Sequence, residues 1–165
     1  MRLEGLDGNW ISLTVLGYEF PEEDQGAFDS SNWLVIAGIV HRDGLRWTFQ
    51  EPSLLVSEGL ELGSWMLKVA NRGIPTSHSD QEDGTFPDLW FTEPNLAFSV
   101  ASGTDPLIGL RVHLSLESGP PIEAEAKGAG IYEYFMVLVM NADQLRRAAE
   151  DWRAELIPFP VRGSE

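Results

Sequence analysis

The chain has no cysteine among its 165 residues. That excludes disulfide scaffolds, thiol nucleophiles, cysteine-ligated zinc and iron–sulfur clusters. Basic residues are scarce: 11 Lys and Arg stand against 26 Asp and Glu, a net charge of 11 − 26 = −15. Such a charge repels DNA, RNA and anionic membranes, so neither nucleic acid nor membrane is an expected partner. No stretch approaches the roughly 20 consecutive apolar residues of a membrane-crossing helix. The opening Met1–Asp7 has no apolar run or cleavage site, so no secretory leader is expected and a cytoplasmic location is. Histidine is limited to His41, His78 and His113, and no pair has ligand spacing such as H-x-x-x-H. A phosphate-binding glycine run and a G-x-S-x-G elbow are both missing. Asp80-Gln81-Glu82-Asp83-Gly84 resembles the start of a calcium loop but lacks the downstream bidentate glutamate. The pairs Glu22/Glu23 and Glu123/Glu125 lie in loop-like sequence, without the apolar pocket that raises a carboxyl pKa. No catalytic residue, cofactor or metal site is therefore predicted, and the chain is not expected to be an enzyme.

The acids that are present are unevenly placed. Glu19–Asp29 holds five, Asp80–Glu93 five and Glu117–Glu125 three, and none of these stretches contains Lys or Arg. Together they hold 13 of the 26, in sequence rich in Pro, Gly and Ser. The candidate partner-binding residues are thus Glu22, Glu23, Asp24, Asp80, Glu82, Asp83, Glu123 and Glu125. They would attract a basic protein surface. Ordinary solubility is the competing explanation.

The length suits one domain, over residues 1–162, with a frayed tail at 163–165. Ile11, Leu13 and Val15 alternate with Ser12 and Thr14, which predicts a half-buried strand. Residues 32–40 are apolar on both faces and read as a central strand. Asp43-Gly44 is a hairpin turn, followed by alternating Leu45, Trp47 and Phe49 in a strand that Pro52 is expected to end. Ser57 is the expected N-cap of a helix whose face holds Leu62, Met66, Val69 and Ala70, with Gly73 as its stop. Gly59 and Gly63 each weaken it by about 1 kcal/mol relative to Ala. Strands follow at 89–92, 96–101, 108–117 and 132–140. The polar face of the third of these, with Arg111 and His113, is expected to meet water. Asn141 with Gln144 forms a capping box. Leu145, Ala149, Trp152 and Leu156 then mark a second helix, ended by Pro158. About seven strands and two helices, grouped rather than alternating, predict an α+β fold. A mainly antiparallel curved sheet or half-open barrel carries the C-terminal helix in this picture, with a β-sandwich as the alternative. Trp33, Trp47, Phe98 and Trp152 are expected in the core. Trp10, Phe28, Trp90 and Phe91 sit near strand ends or loops, where one could anchor an interface.

Several stretches carry a resemblance when taken in order. They are Tyr18-Glu19-Phe20-Pro21, Asn32-Trp33-Leu34 and Glu51-Pro52-Ser53-Leu54-Leu55 before a helix with Trp65. Phe91-Thr92-Glu93-Pro94-Asn95-Leu96-Ala97-Phe98, Leu116-Glu117-Ser118-Gly119-Pro120-Pro121 and Phe159-Pro160-Val161-Arg162 complete the set. From about residue 10 to 162 the chain resembles the WapI-type bacterial immunity proteins. The glycines at 59 and 63 depart from the charged helix formers expected there, and the connections at 73–88 and 119–130 are long. The resemblance implies a cytoplasmic antidote that binds and blocks the toxic C-terminal domain of a polymorphic contact-dependent toxin, the type member's being an RNA-cleaving one. It implies no catalytic residues. Two other readings remain at this point: a small-ligand or protein-binding module with an apolar pocket between sheet and C-terminal helix, and an enzyme using loop carboxylates around His113. Oligomeric state is left open.

Overall fold

The computed structural model describes residues 1–21, 30–76, 86–101, 105–121 and 130–163. Alternation along Trp10–Tyr18 (β2) turns Ile11, Leu13 and Val15 inward. These meet Val40, Gly38 and Ile36 of Trp33–Arg42 (β3), which pairs antiparallel with β2 on one side and with Leu45–Leu55 (β4) on the other. Arg2–Glu4 (β1) adds to the free edge of β2 and places Leu3 opposite Ile11. The first sheet is therefore β1-β2-β3-β4. Leu89–Trp90 (β5), Leu96–Ala101 (β6), Leu107–Leu114 (β7) and Phe135–Asn141 (β8) form a second antiparallel sheet in that order. Two helices, Val56–Ala70 (α1) and Ala142–Leu156 (α2), complete the α+β architecture.

The class and the antiparallel pairing match the sequence expectation. The described strands number eight rather than about seven, and they divide between two sheets instead of forming one curved sheet. The extra strand is β1, too short at three residues to show a period. The break comes where α1 and the long connection after it interrupt the run of hairpins. Just past β1, Leu6 N–H donates to Val139 O at 2.9 Å, so the first edge of one sheet meets the last edge of the other. One apolar cluster draws on the inner faces of both sheets and on both helices.

Pro52 does not end β4. The strand continues to Leu55, with a register shift where Leu34 pairs Leu54 and Val35 pairs Pro52. This is possible because β4 is an edge strand and needs no donor on its outer side. Nor is Ser57 the cap of α1. The cap is Leu55, whose N–H donates to the Glu58 carboxylate at 2.8 Å. At the other end Gly73 N–H reaches Lys68 O at 2.8 Å, but the left-handed residue is Arg72, with φ of 57°. The α2 cap is as expected: Gln144 N–H donates to Asn141 Oδ1, and Asn141 N–H donates to Gln144 Oε1.

Gly59 and Gly63 acquire a reason in the packing of α1 on α2. A Cβ at Gly59 would lie 3.1 Å from Leu156, and one at Gly63 would lie 2.7 Å from Arg153 Cγ. The Trp152 indole N–H donates to Gly59 O at 2.8 Å. Bare backbone lets the two helices approach closely enough for that bond. The helix-propensity cost is offset by packing.

Candidate functional site

The structure first explains what the motifs behind the resemblance do. Those at the two chain ends converge. The Asn32 side chain donates to Arg162 O at 2.9 Å and accepts from Arg162 N–H at 2.7 Å. Arg162 also donates to Phe20 O and Pro21 O, with its guanidinium carbon 3.3 Å from the Tyr18 ring centre. The Tyr18 hydroxyl donates to Pro160 O. A second group ties β4 and α1 to the second sheet. Glu58 accepts from Thr92 N–H at 2.7 Å and its hydroxyl at 2.8 Å, Asn95 Nδ2 reaches Ser53 Oγ at 3.4 Å, and the Ser118 hydroxyl donates to Asn95 O. The Trp47 indole donates to Ser118 O at 2.9 Å. Most bonds in both groups go to backbone atoms, and together they tie the chain ends and the two sheets.

The outer face of the second sheet departs from expectation. The residues Ala97, Ser99, His113 and Arg111 pair across β6 and β7 and share that face. It was expected to meet water, yet His113 has 0 % exposure, Ser99 0 % and Arg111 6 %. Long-range aromatic neighbours account for part of this cover. Phe135 packs 5.4 Å from the His113 ring and Tyr132 meets it edge-on at 6.3 Å, while the Arg111 guanidinium lies 5.6 Å from Phe135.

His113 Nδ1 lies 2.7 Å from Tyr132 O, a pure acceptor, so Nδ1 carries the proton. Nε2 then accepts from the Ser99 hydroxyl at 2.8 Å. A Ser–His pair at this separation has nucleophile-and-base geometry. Here neither side chain has any exposure, and the third partner is a backbone carbonyl instead of a carboxylate. The bonds satisfy a buried polar pair. Carboxylates clustered around His113 were the mark of the enzyme reading. Among the described residues no group of three or more His, Asp and Glu could hold a metal ion.

Burial pushes the His113 pKa below its ordinary value, and the Arg111 charge acts in the same direction. The consequence for stability has a definite sign. Below the ordinary value of 6.5 the unfolded chain takes up a proton that the folded chain refuses. Stability is therefore unaffected by this group above that pH and falls as pH drops through it, by at most about 1.4 kcal/mol per unit. Urea titrations at pH 7.5, 6.5 and 5.5 should show the loss, and His113→Asn should flatten it between the last two values. An equal slope in both proteins would contradict the buried neutral imidazole.

Above this network sits an exposed aromatic group. Phe86 is 66 % exposed and Trp90 55 % exposed, their rings edge-to-face at 5.9 Å. Phe86 meets Tyr132 in the same way, also at 5.9 Å. Tyr132 is held in a left-handed conformation, φ 71°, by its N–H donating to Ser115 Oγ and its carbonyl accepting from His113. A left-handed backbone on a bulky residue persists only where its surroundings enforce it. Burial raises the Tyr132 pKa above its ordinary value. Beside this turn lies a cleft of about 270 Å³, lined by Leu114, Leu116, Gly119, Gly130, Ile131 and Tyr134 among others. Leu116 on its rim is exposed and is also left-handed, with φ of 52°.

Of the residues singled out from sequence, Trp90 belongs to this surface. Phe91 does not, being buried in the core. Trp10 is half-buried on the first sheet, stacked on His41. Phe28 lies outside the described residues, as do Glu22, Glu23, Asp24, Asp80, Glu82, Asp83, Glu123 and Glu125. Trp47, Phe98 and Trp152 are core residues, whereas Trp33 is only half-buried. Phe86 stands in polar sequence before Pro87 and Tyr132 opens an apolar, strand-like run, so neither carries a local signal of this surface. The pocket expected between sheet and C-terminal helix is filled by Leu145, Ala149 and Trp152, all fully buried. No described helix is long and apolar enough to cross a membrane.

Comparison with protein families matches residues 2–160 of the chain to the immunity protein WapI-like family. No curated protein and no solved structure matches the chain.

Proposed function

Because the chain belongs to the immunity protein WapI-like family, we propose that it is a cytoplasmic antidote. It binds the toxic C-terminal domain of a polymorphic contact-dependent toxin and neutralises it. The family match carries this reading. The charge of −15 supports its finer part, that the toxin is a basic, nucleic-acid-cleaving domain. A nuclease needs a cationic groove for phosphates, and carboxylates can occupy it in their place. The antidote acts as a stoichiometric blocker, without chemistry or a cofactor of its own.

Co-expression tests the reading. Cells producing the C-terminal domain of the cognate toxin should survive when the chain is supplied, and die without it. Death at the same rate in both cultures would overturn it. The acidic stretches are predicted to act on association. Charge reversal at Glu22, Glu23 and Asp24, at Asp80, Glu82 and Asp83, or at Glu123 and Glu125 should slow binding about tenfold at low salt. The difference should shrink as salt screens it. Unchanged association rates for all three variants at low salt would sink the role of these acids.

A further inference from the structure

We propose that the Phe86–Trp90–Tyr132 surface, with the adjoining cleft, is where this protein receives an arginine-bearing surface of its partner. The proposal rests on the neutralisation reading and gives it a location.

Among the described residues, four partly exposed rings carry a cation, whereas Phe20, Trp33 and Phe159 carry none. Trp10 carries the Arg2 guanidinium 4.0 Å from its ring centre, has Arg46 at 5.9 Å and stacks on His41. Tyr18 carries Arg162, Tyr134 carries Arg42 and Phe135 carries Arg111. Each of these rings already has its cation. Among the described residues, no cation lies over Phe86, Trp90 or Tyr132. A guanidinium over a ring face contributes most when it is desolvated, which a partner's arginine would be on docking.

The local charge agrees. Residues 86–96, 114–121 and 130–138 contain no Lys or Arg, and they contain Asp88, Glu93, Glu117 and Glu133, all exposed; the nearby cations are Arg111, buried against Phe135, and Arg42, engaged with Tyr134 and Phe135 O. Carboxylates at the margin of an aromatic group reproduce the anchor-and-rim layout of protein interfaces, and they select a cationic partner. The surface is also preorganised. The Tyr132 backbone is held on both sides, its N–H by Ser115 Oγ and its carbonyl by His113, so this part of the surface needs no backbone ordering on docking. The cleft beside it, with Leu116 and Ile131 exposed at its edges, offers room for one inserted side chain.

Two measurements decide the matter. In the first, a nona-arginine peptide is titrated into the ¹⁵N-labelled protein at low salt. The largest shifts are expected at the Trp90 indole and at the amides of Phe86, Ile131 and Tyr132, and Trp90→Ala or Glu117→Lys should reduce them. Shifts centred elsewhere, or spread evenly over the acidic surface, would overturn the assignment. In the second, the cognate toxin domain, catalytically disabled, is bound to the wild type and to Trp90→Ala and Phe86→Ala/Trp90→Ala. Both side chains are exposed, so thermal unfolding should show the variants folded. Binding should weaken roughly thirty-fold for a hot-spot aromatic. Equal affinity for wild type and variants would remove this interface while leaving neutralisation intact. Failure of the wild type to bind would instead remove neutralisation, and the peptide titration would still decide whether this face takes arginine.

Discussion

Replacing Trp152 with alanine is expected to lower the free energy of unfolding by about 3–5 kcal/mol, the range for deleting a buried tryptophan. That is a large share of the roughly 5–15 kcal/mol that holds a domain folded. Trp152 has no exposed surface, and it lies where α2 crosses the glycines of α1. Its ring comes within 3.4 Å of where a Gly63 Cβ would stand and 3.8 Å of where a Gly59 Cβ would stand. On the α1 side the backbone is bare at Gly59 and Gly63, so neither position has a side chain to fill the space. Trp152→Phe separates the contributions. It keeps most of the apolar burial and removes the indole bond to Gly59 O, so it should cost about 1 kcal/mol for the bond plus a share of the ring volume. Urea unfolding followed by far-UV circular dichroism measures both. A loss under 1 kcal/mol for the alanine variant would mean that the α1–α2 seam contributes little.

That seam shows where local sequence stops informing. The α2 helix was legible throughout: the Asn141–Gln144 box, the spacing from Leu145 to Leu156 and Pro158 are all local signals. Gly59 and Gly63 looked like defects because their reason lies on another helix, more than 80 residues away in sequence. Strand β4 was read as ending at Pro52 because an edge position is a property of the sheet, not of the strand. The same holds for the second sheet. Ser99, Arg111 and His113 alternate with apolar residues, which locally means a wet face; aromatics from the 130–135 turn and β8 pack there. Among the candidate site residues, Trp90 was legible because a tryptophan at the end of a short strand has few ways to be buried. Phe86 and Tyr132 gave no such signal, since nothing in a sequence announces a left-handed tyrosine. The order of weak motifs was the most informative sequence feature. In space those motifs become bonds between chain ends and between sheets, which explains why they bear on the fold yet mark no reactive site.

The second large effect is expected at Gly38, in the middle of β3. Its register partner on β4 is Phe49, and a Cβ built at Gly38 would fall 2.0 Å from the Phe49 ring. The ring thus lies across the glycine and fills the place a side chain would take in the sheet. Gly38→Ala must displace Phe49 from the core face, where it is buried between the sheets. A loss of about 3 kcal/mol is expected, at the upper end for overpacking because the obstructing group is a rigid ring between packed strands. Phe49→Ala should cost about 3–5 kcal/mol by cavity formation. The two losses should not add. Once the ring is gone, the alanine at 38 meets no clash and restores some of the lost contact, so Gly38→Ala/Phe49→Ala should be no less stable than Phe49→Ala alone. The coupling energy from this double-mutant cycle should be 2 kcal/mol or more, against roughly 0.3–0.5 kcal/mol for independent sites. Additive losses would show that Gly38 is required for its backbone rather than for the ring that lies across it.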